Sequence, residues 1–232
     1  SQPSITVKPE PELATLALTP SQAQIELDPN GDGSIPRSLV LIVTPRGVGS
    51  GVVVDDDGHV LTNWHSVNGF DRVVVWLKAP GSGTPDLSTP YSATLKRGNR
   101  SSDLALLQLD TLPEGLAPIP MAGPGLPNRG DAMYLVSHFG SSAWRYAPGR
   151  FVKYKKLHSW ITGGRFVHKE GVLRTRVGSK PASPGGVLLN GRLEMVGLNA
   201  HVAKRSPDIY AVNLNSIRLF LSGDLASDPD GG

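Results

Sequence analysis

The sequence predicts an all-β protein made of two sets of short strands. The chain has 232 residues, which is enough for a substantial hydrophobic core. It contains 27 glycines and 20 prolines, residues that interrupt helices. Short apolar runs bounded by turn residues follow one another, without the alternation of strand and helix that parallel sheets need. This pattern favours two β-barrels or a pair of β-sandwiches.

The first 36 residues predict an extended N-terminal arm, with scattered prolines and a short helix near 21–27. Within this arm Asp28, Asn30 and Asp32 alternate as the first ligands of an EF-hand calcium loop do. The twelfth position of such a loop, where a glutamate closes the cage, is Leu39. Two interpretations stay open: a calcium loop that uses these three residues, or a turn that leads into the first strand.

A first set of strands follows, and we expect it to form one barrel over about 37–111. Asp57 and Gly58 together are typical of a hairpin turn between two of its strands. The predicted strands are 38–45, 49–55, 58–63, 71–78, 91–97 and 103–110. A proline-rich stretch at about 112–128 then predicts a connector.

A second set of strands occupies about 129–223 and predicts a second barrel. Its predicted strands are 132–140, 149–156, 165–170, 172–177, 186–190, 192–202 and 208–214. An amphipathic pattern near 216–221 predicts a short C-terminal helix. The last residues, 224–232, are rich in Asp and Gly and predict an acidic linker.

The two halves of the chain carry opposite charge. The net charge of +3 combines −5 over residues 1–143 with +8 over residues 144–232. Segment 144–177 holds a single carboxylate, Glu170, and interleaves aromatic residues with its cations. The cations are Arg145, Arg150, Lys153, Lys155, Lys156, Arg165, Lys169, Arg174 and Arg176. Two interpretations stay open: a surface for an anionic partner such as nucleic acid, lipopolysaccharide or a lipid headgroup, or strands with one solvated basic face.

Three segments carry a resemblance to a known family. They are GSGVVVDDDGHVLTNWHSV at 49–67, SSDLALLQLD at 101–110, and VLRTRVGSKPASPGGVLLNGRLEMVGLNA at 172–200. In this order they resemble the histidine, aspartate and nucleophile segments of bacterial trypsin-like serine proteases of the HtrA/Deg type. The resemblance covers about 38–223. It implies a fold of two six-stranded β-barrels with the active site in the cleft between them.

The resemblance places His65 at the general-base position and Asp103 at the position of the carboxylate that orients the base. Aligned without a gap, the family's nucleophile falls on Pro184, which offers neither a hydroxyl nor a backbone N–H. The family's oxyanion hole uses the N–H groups of the nucleophile and of the residue two before it. These positions are Pro184 and Ala182, so one of the two donors is missing.

With this break, the resemblance implies a pseudoprotease: an inactive homologue that binds an extended peptide or a partner protein. One alternative is an active serine endopeptidase in which Ser183, one residue early, reaches His65. Another is a transition-metal site built around His65, as in degenerate HtrA-like proteins of magnetosome formation, which this chain resembles in lacking the serine. The first two hypotheses require no cofactor.

The resemblance also implies a cellular setting and further partners. We expect an extracytoplasmic protein, in the bacterial periplasm or at a membrane, with a downstream PDZ or membrane module and a homo-oligomeric state left open. The sequence holds no cysteine, which excludes disulfides, thiolate metal sites and a Cys nucleophile. No apolar run approaches the ~20 residues of a membrane-spanning helix. No basic-then-apolar leader precedes the arm, so we expect any signal peptide to have been removed.

Overall fold

A computed structural model of the chain describes residues 37–79, 85–139, 142–177 and 184–224. These residues form twelve strands and two short helices, which confirms the all-β class. The strands are β1 Leu39–Thr44, β2 Gly47–Val53, β3 His59–Thr62, β4 Arg72–Leu77, β5 Tyr91–Asn99, β6 Leu104–Leu109, β7 Ala132–Phe139, β8 Ser142–Thr162, β9 Phe166–Val177, β10 Val187–Asn190, β11 Met195–Val202 and β12 Asp208–Asn213. The helices are α1 Trp64–Val67 and α2 Leu214–Ser222.

The twelve strands close into two six-stranded antiparallel barrels, so the alternative of paired sandwiches is wrong. The first barrel has the order β1-β2-β3-β6-β5-β4, and the second has the order β10-β11-β12-β9-β8-β7. Each barrel buries the inward-pointing aliphatic side chains of its strands. In β1 both faces are buried: Val40 and Ile42 belong to one core cluster, and Leu39, Leu41 and Val43 belong to the cluster that includes the second barrel. Because both sheets are closed, hydrogen bonding between neighbouring strands continues around each barrel.

The C-terminal helix begins and ends where local chemistry dictates. The side chain of Asn213 accepts hydrogen bonds from the backbone N–H groups of Asn215 and Ser216, which starts α2 two residues before the predicted 216. Gly223 ends it in the left-handed conformation, with φ 89°. Arg97 of the first barrel donates to the carbonyl oxygen of Phe220, which ties the helix back to that barrel.

Two strands of the second barrel are longer than the sequence predicted. β8 begins at Ser142 rather than at 149, and β9 runs without a break through Gly171. That glycine does not end a strand; its α-carbon lies so close to its neighbours that a Cβ would stand 2.6 Å from the Tyr154 hydroxyl oxygen and 2.8 Å from Asn213 Nδ2. A bulge between Lys155 and His158 lets β8 bend while it stays paired with β9. The predicted helix near 21–27 lies outside the described residues.

Candidate functional site

His65 lies on α1, directly after the third strand of the first barrel. The turn between β5 and β6 faces this helix, and the carbonyl oxygen of Asp103 in that turn accepts hydrogen bonds from the backbone N–H of Trp64 at 3.1 Å and from Asn63 Nδ2 at 3.1 Å. The start of the helix is therefore fixed to the turn that carries the aspartate. Local backbone bonding, and not the side chains alone, brings the histidine and the aspartate together.

The Asp103 carboxylate is fully buried (0% exposed) and receives several donors. Nδ1 of His65 lies 2.7 Å from Oδ2 and 2.9 Å from Oδ1, and the backbone N–H of His65 donates to Oδ1 at 3.0 Å. The indole N–H of Trp160 approaches Oδ2 at 3.4 Å. With Nδ1–H held by the carboxylate, Nε2 of His65 is left as the basic nitrogen, which is the arrangement that general-base catalysis needs.

Pro184 lies across the cleft from this pair. His65 and Pro184 line one cavity of about 210 Å³, together with Ser66 and residues of β1, β2 and the turn between them. The position predicted to hold a nucleophile and the predicted base therefore line the same cavity. A proline there can neither attack a carbonyl nor donate a backbone N–H to an oxyanion.

The backbone that follows Pro184 is tightly fixed. Gly185 donates its N–H to the carbonyl oxygen of Asn199 at 3.0 Å, and the N–H of Asn199 donates to the carbonyl oxygen of Gly186 at 2.7 Å. Gly185 has a φ of 81°, and a Cβ on it would overlap the carbonyl oxygen of Ser50 in β2. Only glycine fits this contact between the two barrels, so the loop cannot shift freely.

Several predicted site residues lie outside the described part of the chain. Ser183 and Ala182 precede the described residues of the loop, so the geometry leaves both roles as predictions. Asp28, Asn30 and Asp32 belong to the N-terminal arm, and the calcium interpretation also stays a prediction.

Sequence reasoning missed two residues beside the pair. Trp160 and His168, a directly opposed pair on β8 and β9, are 3% and 0% exposed, and their rings lie 5.4 Å apart between centroids. His168 Nδ1 lies 2.6 Å from the carbonyl oxygen of Arg100, and its Nε2 lies 2.7 Å from the Thr162 hydroxyl. Since a carbonyl only accepts, Nδ1 donates to Arg100. The sequence of β8 and β9 alternates between apolar and polar residues, but this alternation does not indicate which face of the two strands is buried.

His168 also completes a group of metal-ligating side chains. One donor atom each from His65, Asp103 and His168 lies within 4.8 Å of the others. A second such group, formed by Asp55, Asp57 and His59, lies where β2 leads into β3; Asp57 is exposed and the other two are partly buried. Imidazole and carboxylate donors suit divalent transition metals.

A second cluster of rings is formed by His158 of β8, His201 of β11 and Tyr210 of β12. His158 stacks on Tyr210 at 4.2 Å between centroids, and His201 lies 6.2 Å from His158. Burial and the neighbouring Lys155 charge, with a contribution from His201, lower the pKa of His158 to about 4. Burial and Lys204 also lower the pKa of His201. Both imidazoles are therefore neutral near pH 7.

The basic segment of the second barrel is partly neutralised within the fold. Asp208, 1% exposed, accepts hydrogen bonds from Arg174 Nε at 2.8 Å and Arg176 Nε at 3.1 Å. Burial alone would raise the pKa of the Asp208 carboxyl, but the bonds from Arg174 and Arg176 hold that pKa below its ordinary value. Arg174 and Arg176 are therefore both paired with a carboxylate of the same domain. Among the described residues, neither helix has the length and apolar character to cross a membrane.

Comparison with known proteins extends the resemblance. The chain is 25% identical to the serine endoprotease DegS of Escherichia coli over 163 residues, covering 70% of this chain and 42% of DegS. It is 25% identical to the magnetosome formation protease MamE of Paramagnetospirillum magneticum over 218 residues, covering 90% of this chain and 29% of MamE. The chain thus spans less than half the length of these relatives.

Solved structures share the fold. The active form of the Rv3671c protease from M. tuberculosis matches with a TM-score of 0.68 and 21% identity, covering 93% of this chain and 91% of the other. The apo MamO protease domain from Magnetospirillum magneticum matches with a TM-score of 0.64 and 22% identity, covering 81% and 97%. Residues 49–198, which contain His65, Asp103 and Pro184, match the model of the trypsin-like peptidase domain. The chain belongs to the trypsin-like peptidase domain family and has homologues among the HtrA/DegS proteases.

Proposed function

We propose that this domain is a serine-protease homologue that has lost catalysis and binds extended peptide in the cleft between its barrels. One observation supports the proposal: Pro184, the residue at the family's nucleophile position, lines the same cavity as His65. The His65–Asp103 pair is formed, but the residue opposite it has no group that the pair could activate. Loss of one oxyanion donor alone costs about 2.7–4 kcal/mol of transition-state stabilisation.

The edge of β11 supports peptide binding. On one side of β11, pairing with β10 and with the two glycines before it reaches Asn199, whereas on the other side β12 continues along β11 to Val202. Ala203 donates its N–H to the Asp208 carbonyl oxygen at 2.9 Å, on the side of β12. Because backbone groups alternate along a strand, the N–H of Val202 points to the opposite side, where no described strand pairs with it. An extended peptide could add there as another strand.

A paired substitution tests this docking edge. Val202→Pro removes the N–H without touching the bond from Ala203, and Val202→Ala keeps it. We expect Val202→Pro to weaken binding of a fluorescein-labelled, unfolded casein peptide by about fivefold or more, the value of one backbone hydrogen bond, and Val202→Ala to leave it nearly unchanged. Fluorescence polarisation measures both. Equal binding by the two variants would contradict docking at this edge.

The loss of catalysis is tested separately. We expect the unaltered domain to leave casein intact and to take up no fluorophosphonate label. Labelling that Ser183→Ala abolishes would establish instead an active serine endopeptidase that uses Ser183. This result bears on catalysis alone, since peptide binding is measured without turnover.

A second candidate function is transition-metal binding, favoured by the grouping of His65, Asp103 and His168. The donor types fit a divalent transition metal, and among the ring nitrogens of this group Nε2 of His65 is the one without a hydrogen-bond partner in the described residues. The other ring nitrogens are engaged, so an ion would have to replace hydrogen bonds that hold the site together. The support for a metal at His65, Asp103 and His168 is therefore that their donor atoms lie close together and are of a suitable type.

Calorimetric titration with Zn²⁺, Mn²⁺, Ni²⁺ and Co²⁺ tests this second candidate. We expect a specific site to disappear in His65→Ala and to persist in His59→Ala, which alters the group of donors between β2 and β3. Binding that only His59→Ala removes would assign the metal to that surface group.

A further inference from the structure

The distal part of the β8–β9 hairpin forms a two-stranded ribbon, residues 157–171, that extends beyond the pairing of β9 with β12. One face of the ribbon, its inner face, is fixed to the rest of the domain. Trp160 reaches Asp103, and Phe166 packs edge-on against Trp64 at 5.0 Å between ring centroids. The backbone N–H of Lys169 also donates to the carbonyl oxygen of Ser101 at 2.7 Å. The orientation of the ribbon is therefore set by the core of the molecule.

The opposite face, the outer face, presents aliphatic side chains to solvent. Leu157 and Ile161 are each 60% exposed and Val167 is 59% exposed. Ile161 and Val167 are directly opposed across the two strands, and Leu157 lies at the start of the ribbon, in the bulge between Lys155 and His158. In the described part of the chain, these are three of the six large apolar side chains that stand about half or more exposed. Their concentration in one ribbon, with Ile161 and Val167 side by side on one face, is not the scatter expected of ordinary surface residues.

Cations surround this apolar stripe. Lys169 is opposed to Ser159 on the outer face itself, and Lys156 precedes Leu157. Arg165 lies in the turn at the tip, with its guanidinium 4.5 Å from the centre of the Phe166 ring. All three side chains are exposed. Glu170, the one carboxylate in the ribbon sequence, accepts a hydrogen bond from the Ser216 hydroxyl at 3.0 Å on the inner side. The outer face therefore combines apolar area with the positive charge of Lys169, and Lys156 and Arg165 add positive charge at its two ends.

We propose that the outer face of the ribbon binds an anionic lipid surface. Aliphatic side chains enter the boundary between headgroups and acyl chains, while flexible lysine and arginine side chains stay among the negative headgroups. Ser159 is the single uncharged polar side chain on this face, so recognition uses apolar contact and charge with little directional hydrogen bonding. This chemistry matches a bilayer, which presents no fixed pattern of donors and acceptors, better than an acidic protein.

The chain contains no cysteine, so a single engineered cysteine can carry an environment-sensitive fluorophore without background labelling. We would label Ile161→Cys and, as a matched control, Leu112→Cys, a connector residue that is 57% exposed. Vesicles of phosphatidylcholine alone are compared with vesicles of three parts phosphatidylcholine to one part phosphatidylglycerol. We expect a shift of emission to shorter wavelength at position 161 only, with the anionic vesicles only, and reversed by high salt.

Unlabelled variants measure the binding itself by vesicle co-sedimentation. We expect Lys169→Gln to lower partitioning about fivefold through loss of one surface cation. The double variant Ile161→Ser and Val167→Ser should lower it about tenfold or more through loss of apolar burial. Circular dichroism checks that each variant is folded, and Leu112→Ser is the control for a lost exposed apolar residue.

Three outcomes would overturn the proposal. They are absence of vesicle binding by the unaltered domain, equal partitioning into neutral and anionic vesicles, and binding that the ribbon variants leave unchanged. Light scattering after size exclusion distinguishes the remaining case. If the unaltered domain is a dimer and the double Ser variant a monomer, the face joins two copies of the chain and the lipid assignment is wrong.

Discussion

Pro184→Ser is the most informative single substitution in this domain, since it returns both groups that the proline removes. Serine supplies a hydroxyl on the cavity shared with His65 and a backbone N–H for an oxyanion. The backbone has little freedom to respond, since the two hydrogen bonds between Asn199 and the glycines that follow Pro184 measure 3.0 and 2.7 Å. We therefore expect the new side chain to occupy the place of the proline.

The expected gain can be stated from the groups restored. A positioned base contributes about 10²–10⁴-fold to attack by a hydroxyl, and one oxyanion donor contributes about 10²–10³-fold. Pro184→Ser should therefore react measurably with a fluorophosphonate, and adding His65→Ala should slow that reaction at least about 100-fold. Stability should fall by about 1 kcal/mol, because replacing proline enlarges the unfolded ensemble.

The assay is fluorophosphonate labelling followed by mass spectrometry of the modified peptide, with the unaltered domain and Pro184→Ala as controls. A folded Pro184→Ser variant that labels no faster than these controls would refute the claim that residue 184 faces His65 productively. Labelling that survives His65→Ala would show that the new serine reacts without the pair.

Two further predictions concern stability. His158 has its pKa lowered to about 4 from an ordinary 6.5, so between these pH values the unfolded chain binds a proton that the folded chain does not. The free energy of unfolding should then fall by about 1–2 kcal/mol as the pH drops through this window, a figure reduced for partial exposure of the ring. Urea titrations measure it: this fall in unfolding free energy should be smaller in His158→Gln and unchanged in the control His59→Gln. Gly185→Ala should cost about 2–5 kcal/mol, because its φ of 81° and its contact with Ser50 exclude a Cβ. Gly191→Ala, where a Cβ meets nothing within 4 Å, should change little, and equal melting temperatures for the two alanine variants would contradict the packing argument.

The strands and the short C-terminal helix were predictable because their periodicity is local. The length of β9 was not, because Gly171 reads as a break in sequence while the fold uses it for close approach to Tyr154 and Asn213. Nothing near Gly171 in the sequence indicates that these distant side chains surround it. The predicted strand boundary at Gly171 was thus wrong because the role of this glycine depends on a long-range contact.

Some residues of the candidate site could also be predicted from the sequence and others could not. His65 and Asp103 could be identified because each lies in a recognisable segment, and their side chains approach to 2.7 Å. Their catalytic roles stay a prediction. Trp160 could not be identified, since alternation along β8 shows which residues share a face but not which face is covered. Its burial depends on the ribbon packing against α1 and the turn before β6, which only the assembled barrels determine.

The His65–Asp103 pair has a structural reason to exist without a nucleophile. Asp103 is buried and has a φ of 57°, an uncommon conformation for a residue other than glycine. Its carboxylate is compensated by the N–H groups of His65 and by the indole of Trp160 from the second barrel. Because removing a partner would leave a buried carboxylate poorly compensated, the pair stabilises the first barrel whether or not a serine stands opposite, and the Trp160 indole adds a contact from the second barrel. An intact pair is therefore not evidence of proteolysis, and the chemistry of residue 184 decides that question.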